Sequence, residues 1–358
     1  MSEVEKPDTP APSEPTARQV IHAVVEPPPN PERKLPRSWW VHDDKLERDL
    51  PPAEIYRVMK EQVGELWVDL DVGNRHHIAF LENVCGFHPL SVEDVLNPES
   101  RVKLEEYPGY LFMIIRGVRF FEQTEDPYDL ETFNICFFLG PNYVVTAHGG
   151  QSPAIAGTAE RIERNPELLK RGAERLMHAI MDSAVDAYFP LLDQIDEFID
   201  SLEQRVFHKF DESALHDVFG VKRVILSLRR HLSPQREVFN ILTNRPSALL
   251  APESQVYFRD VYDHMLRIND SIDTYRELLS STLDSYLSQV NNRLGMSTKA
   301  LSVVATISIP FVVVSGMWGM NFSHIPLSEQ PHAFWWMLGI QLGLGFVFLW
   351  VLRLLRLL

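Results

Sequence analysis

Basic residues are scarce in this 358-residue chain: 34 Lys and Arg stand against 49 Asp and Glu, for a formal charge of −15. Nucleic-acid-binding surfaces need the opposite balance, so the charge argues against such a partner and favours a protein that gathers cations. Cysteine is rarer still. Cys85 and Cys136 lie in runs that read as core, and two distant cysteines make no metal knuckle; a reducing compartment is the simpler inference. No GxxxxGK[ST] loop occurs, so no ATPase is expected and the chain reads as a non-enzyme. The opening stretch, MSEVEKPDTPAPSEPTARQ, lacks both a basic head and an apolar run, which excludes a secretory signal peptide there. Residues 1–36 are polar and Pro-rich and read as a disordered tail, interrupted by a short strand at Val20–Val25.

Long apolar runs are also absent until the end of the chain, where there are two. Leu301–Phe322 and Ala333–Leu352 contain no charged residue, and each meets the requirement of about 20 residues for crossing hydrocarbon. Arg293 and Lys299 precede the first run, Arg353 and Arg356 follow the second, and Ser323–His332 between them has no Lys or Arg. That asymmetry places both chain ends in the cytoplasm, as in a bacterial or archaeal plasma membrane. Trp318, Trp335 and Trp336 gather at the outer end as an interfacial belt. Two helices enclose no pore, so conduction would require a ring of copies with one helix from each on the axis. The first run carries Ser302, Thr306, Ser308, Ser315 and Asn321; the second has Gln341 alone, with Gly339, Gly343 and Gly345 for close packing. The first run is therefore the expected lining helix. Pro310 within it lacks the amide hydrogen for one rung of the ladder and should bend it.

Before these runs the chain changes character twice. Strand-like stretches at 66–72, 110–121, 132–140 and 142–149 alternate with helical ones at 52–63 and 78–87, which reads as an α/β unit on a central sheet. From about Ser152 the spacing becomes helical, with an acidic face of Asp182, Asp186, Asp193, Asp196, Glu197, Asp200 and Glu203 that reads as solvated. A second amphipathic segment, basic in its middle, follows to about Thr243. After Pro252, apolar residues recur from Val261 to Leu301 in steps of mostly three and four. A single helix from 253 to 320 would be about 100 Å long at ~1.5 Å per residue. The pair His76 and His77, with no partner motif, reads as surface.

Gly319-Met320-Asn321, closing an apolar span and followed by a short loop and a last span, resembles the signature of the CorA family of magnesium and cobalt channels. The stretches 88–115, 181–200 and 256–270 resemble that family in the same order. The resemblance implies an α+β membrane protein: a cytoplasmic α/β domain and a long stalk helix continuing into the first of two transmembrane helices, assembled as a homopentameric funnel in the bilayer. The expected organisation is a tail (1–36), the α/β domain (37–150), an acidic helical hairpin (151–250), the stalk (251–300), the pore-lining span (301–322), an outer loop (323–332), the second span (333–352) and a cytoplasmic end (353–358).

The resemblance also assigns roles. Gly319, Met320 and Asn321 would form the selectivity filter, with Asn321 presenting a carboxamide to a hydrated ion. Mg²⁺ gives up water reluctantly, and a neutral amide accepts hydrogen bonds from that water without holding the ion too tightly to release. Asp284, Leu287, Asn291, Leu294, Thr298, Leu301, Ile309 and Val312 match pore positions, with Leu294, Leu301 and Ile309 as a gate that closes by dewetting. Asp94 and Asp260 match acids that bind cytoplasmic Mg²⁺ between neighbouring subunits, and Glu93, Asp182 and Asp263 resemble a second regulatory group. The implied function is Mg²⁺ influx, with Co²⁺ and Ni²⁺, closed by internal Mg²⁺. A zinc transporter of the same superfamily is the alternative, and a non-conducting membrane-anchored sensor or scaffold is a further one. Gly295 stands where many members place a second stalk asparagine, Trp318 where many have Tyr, and Ile325-Pro326-Leu327-Ser328 where an acidic loop is common.

Overall fold

A computed structural model describes residues 35–120, 130–208, 212–245, 247–320 and 330–354. The expected tail up to residue 34, with its strand at Val20–Val25, lies outside the described residues, as do Asn321, most of the outer loop and Arg356. The chain forms two units: Met1–Gln204 with Glu212–Ser280, and Arg205–Asp211 with Ser281–Leu358.

The first unit is built on one seven-stranded sheet: β1 (Arg37–His42), β2 (Lys45–Arg48), β3 (Glu65–Asp71), β4 (Lys103–Tyr107), β5 (Tyr110–Phe120), β6 (Leu130–Leu139) and β7 (Tyr143–His148). The spatial order is β2-β1-β3-β7-β6-β5-β4. Among the described strands only β3 and β7 run parallel, Leu66 facing Tyr143 and Asp71 facing His148. The β1–β2 hairpin was not expected as strands. Its turn is Asp43-Asp44, both at positive φ (45° and 62°), the geometry whose twist suits a two-residue hairpin and which Asp tolerates.

Both faces of the sheet are covered, because its strands are apolar on both sides. On one face Leu66, Val68, Phe112, Ile114, Cys136, Phe138 and Val145 pack with α1 (Pro52–Glu61), α2 (Arg75–Phe80, extended by a wider turn Leu81–Cys85) and α3 (Pro89–Leu96). Phe87 stacks on Phe138 there, with ring centroids 4.1 Å apart. His77 does not sit at the surface with His76. It is 5% exposed, and its Nδ1 accepts the Asp71 amide at 3.0 Å, closing the β3–α2 connection.

The other face meets α4 (Pro153–Arg164), α5 (Glu167–Lys170) and α6 (Ala173–Asp186). Beneath them the carboxylate of Asp69, 3% exposed, accepts Thr146 Oγ1 at 2.6 Å and pairs with Arg37 at 2.7 Å and with His148 at 3.3 Å. Burial by itself would raise its pKa; His148, Arg37 and Thr146 outweigh that and hold the carboxyl down at about 2. The helical pattern expected to run on from α6 is broken. α7 (Phe189–His208) begins anew because Pro190 has no amide hydrogen and its ring would strike the Asp186 carbonyl. The break lets Tyr188, fully buried, donate its hydroxyl to the Arg116 carbonyl at 3.1 Å. α8 (Glu212–Asn244) follows, with Pro234 inside it.

After one 3₁₀ turn at Pro252–Ser254, α9 runs from Gln255 to Trp318, 64 residues including Pro310. Its length agrees with the 253–320 expectation. Its seam residues Val261, Met265, Ile268, Ile272 and Leu279 are buried in the first unit. α10 (Ala333–Leu354) is the second apolar helix. Among the described residues, these are the two helices long and apolar enough to cross a membrane, with 18-residue windows of mean hydropathy 2.1 and 1.8, only 6% and 17% buried. A core helix of a soluble protein would be covered; these are bare.

Candidate functional site

The lower half of α9 divides lengthwise into two faces. On one, Phe311 and Ser315 meet α10: Gln341 Nε2 donates to the Phe311 carbonyl at 3.3 Å and to Ser315 Oγ at 2.5 Å. One turn further, Gly345 brings α10 so close that an added Cβ would stand 3.2 Å from the Phe311 ring. Ser315, expected with the lining residues, therefore serves helix–helix contact instead. Gly339 and Gly343, expected to allow close packing, have nothing within 4 Å of such a Cβ.

The other face holds the expected pore positions. With 3.6 residues per turn, Asp284, Leu287, Asn291, Leu294, Thr298, Leu301, Ile309 and Val312 fall within an arc of about 100°. Every one is exposed in the single chain, Leu301 at 71% and Val312 at 69%. Ala305 and Gly316, both exposed, fall in the same arc and were missed. Ala305 fills the gap before Pro310 that the wide step from Leu301 to Ile309 had left. Their small size gave no polar signal.

At the C-terminal end of α9 the Gly319 amide donates to the Ser315 carbonyl at 3.0 Å and the Met320 amide to the Met317 carbonyl at 3.4 Å. A Cβ at Gly319 would lie 3.3 Å from that Ser315 oxygen, so a side chain there would crowd the closing turn. Met320 is half exposed. Asn321, the third member of the triplet, lies outside the described residues.

The acids divide differently from expectation. Asp94, on α3, is held within its own domain by Lys103 at 2.5 Å and Ser100 at 3.1 Å; Glu93 beside it is exposed. Asp182, on α6, has Asp186, His178, His264 and Asp260 as its charged neighbours. Burial first, and then repulsion from Asp186, pushes its pKa up. His264, on α9, places Nδ1 3.0 Å from Asp186 Oδ1. One ligand atom each from Asp182, Asp186 and His264 lies within 4.8 Å of the others, a spacing suited to a cation. Asp260, one helical turn before His264, and Asp263, the residue next to it, are both exposed. Asp186 had read as a solvated acid, and His264 drew no attention. Its one sequence signal is its position four residues after Asp260, which puts both on one side of a helix.

A family model for CorA-like Mg2+ transporter protein matches residues 64–354. The chain is similar to the cobalt/magnesium transport protein CorA of Thermotoga maritima, 34% identical over 242 residues that cover 67% of this chain and 68% of the relative. Its fold is similar to the complete structure of the CorA magnesium transporter from Methanocaldococcus jannaschii, with TM-score 0.77 and 21% identity over 89% of this chain and 97% of that one. It is also similar to the ZntB cytoplasmic domain from Vibrio parahaemolyticus, with TM-score 0.59 and 17% identity over 72% of this chain and 99% of that one.

Proposed function

The chain belongs to the CorA-like Mg2+ transporter family, and we propose that it is a divalent-cation channel admitting Mg²⁺, with Co²⁺ and Ni²⁺, down the electrochemical gradient. The observation that carries this is the two-faced α9: α10 covers one side, and the exposed arc from Asp284 to Val312 is left for other copies of the chain. Five copies around one axis would bury that arc against a narrow wet column. Asp284 would draw cations at the inner end; Leu294, Leu301 and Ile309 would close the column by dewetting. A membrane potential of 100 mV supplies about 4.6 kcal/mol to a divalent ion, from ~2.3 per charge, so no ATP is needed.

Regulation would come from internal Mg²⁺. Asp94 of one copy would face Asp260 of the next, and a bound ion would screen their repulsion and hold the ring shut. In a single chain Lys103 already neutralises Asp94, so the ion has a resident competitor. Asp182 and Asp263, with Glu93, would widen the same acidic zone. Both chain ends would face the cytoplasm. A zinc transporter remains the second reading. His264 among the acids supports it, since imidazole suits Zn²⁺, Co²⁺ and Ni²⁺ better than Mg²⁺, and so does the likeness to ZntB.

Flux into liposomes with competing metals tests both readings. Mg²⁺ uptake blocked by Co²⁺ or Ni²⁺ supports the first; Zn²⁺ uptake indifferent to excess Mg²⁺ supports the second. Asn321→Ala should abolish Mg²⁺ uptake while the assembled complex elutes unchanged, and undiminished flux would refute the outer-site role of Asn321.

A further inference from the structure

The first unit contains a second kind of site, of opposite charge. A cleft of about 500 Å³ is lined by Arg101, Arg116, Arg230 and His231, with Glu99 and Pro234. They come from three separate segments: the connection between α3 and β4, strand β5, and the middle of α8. In a chain where acids outnumber bases 49 to 34, arginines normally find carboxylates. The neighbours of these do: Arg229 pairs with Asp273 at 3.3 Å and Arg119 with Glu131 at 3.0 Å. Among the described residues, Arg101, Arg116 and Arg230 form no ion pair.

Arg116 is the most telling. It is only 7% exposed, and its Nε is buried without a hydrogen-bond partner among the described residues. Its terminal nitrogen donates only to the Ser100 carbonyl, at 3.2 Å. Burial pushes its pKa down, with Glu99 the main opposing charge. A buried, unpaired guanidinium costs several kcal/mol unless an anion meets it. Yet the fold secures this one: the Arg116 amide donates to Gln235 at 2.6 Å and its carbonyl accepts Tyr188. Pro234, beside Gln235, leaves the Arg230 carbonyl at the cleft without its helical donor.

We propose that this cleft binds a small oligophosphate anion. Three arginines line the one cleft, and guanidinium forks match the geometry of phosphate oxygens. The net positive lining calls for more than one negative charge, and the volume exceeds that of a single phosphate group. Among the described residues no Phe, Tyr or Trp lines the cleft, so the anion is recognised chiefly through its phosphates. The assignment does not rest on ion transport.

Isothermal titration of the purified full-length protein in detergent, in metal-free buffer, tests it with sodium tripolyphosphate as the probe and orthophosphate and sulfate as controls. Tripolyphosphate should bind saturably, one per chain, and more weakly as NaCl rises. The paired substitution Arg101→Ala with Arg230→Ala, at exposed positions, should weaken binding about tenfold or more, the scale of one lost charge-assisted bond. Glu99→Gln should tighten it. Arg116→Met should abolish it, with a thermal melt reporting whether that variant folds. No saturable heat at millimolar probe, affinity within about twofold in the paired variant, or equal affinity for orthophosphate would each overturn the proposal.

Discussion

At Asp69 the fold holds a carboxylate at 3% exposure, where burial alone would raise its pKa. Arg37, Thr146 and His148 reverse that, and none of them is near it in sequence. Replacing Asp69 by Ala removes the one anion in the group and leaves Arg37 with a half-buried charge. The expected cost is about 3 kcal/mol at neutral pH, read from urea melts of the full chain in detergent. The sign of its pH dependence follows from the lowered pKa. The group's contribution is complete above the ordinary 3.8 and is lost as pH falls through about 2. The gap between wild type and Asp69→Ala should therefore narrow below about pH 4. His77 illustrates the same limit of sequence reading. It reads as half of a surface pair, and only the closing of β3 onto α2 turns it inward.

On α9 and α10 the informative feature is which glycine is touched. Gly339, Gly343 and Gly345 look equivalent in sequence, yet Gly345 alone meets Phe311. Gly345→Leu should push the two helices apart, strain the Gln341 bonds one turn away and cost about 1–3 kcal/mol in thermal melts. Gly339→Leu should cost much less. Equal losses from both would remove the evidence that α10 packs on the Phe311 face. The existence of both helices was plain from sequence, because charge-free runs of that length have few other uses. The helix break at Tyr188 was not read, because the apolar spacing runs straight across it and outweighed the missing amide hydrogen of Pro190.

For the whole molecule, the proposal places the exposed arc of α9 against the same arc in other copies. Leu301→Cys, in a Cys85→Ser background, should form disulfide-linked dimers under mild oxidation, since Leu301 is 71% exposed and would face the common axis. Phe311→Cys, on the face that α10 covers, should not. A chain that stays monomeric in lipid would exclude the ring. Reversing one regulatory charge, Asp260→Lys, should weaken closure by internal Mg²⁺ in patch recordings; unchanged inhibition would separate Asp260 from gating.

Composition and spacing alone determined the α/β unit, the long helix and the two apolar spans, while the face of α9 that carries Leu294 to Val312 was picked out by the resemblance to the family. Each is a local pattern of hydrophobicity or charge, and such patterns survive unfolding on the page. Only the tertiary structure decided that Asp182, Asp186 and His264 converge, that Ser315 serves Gln341, and that Arg116 is buried beside two other unpaired arginines. Those sites join residues far apart along the chain, and the energy that defines them, desolvation weighed against a partner's charge, does not exist until folding brings the partners together.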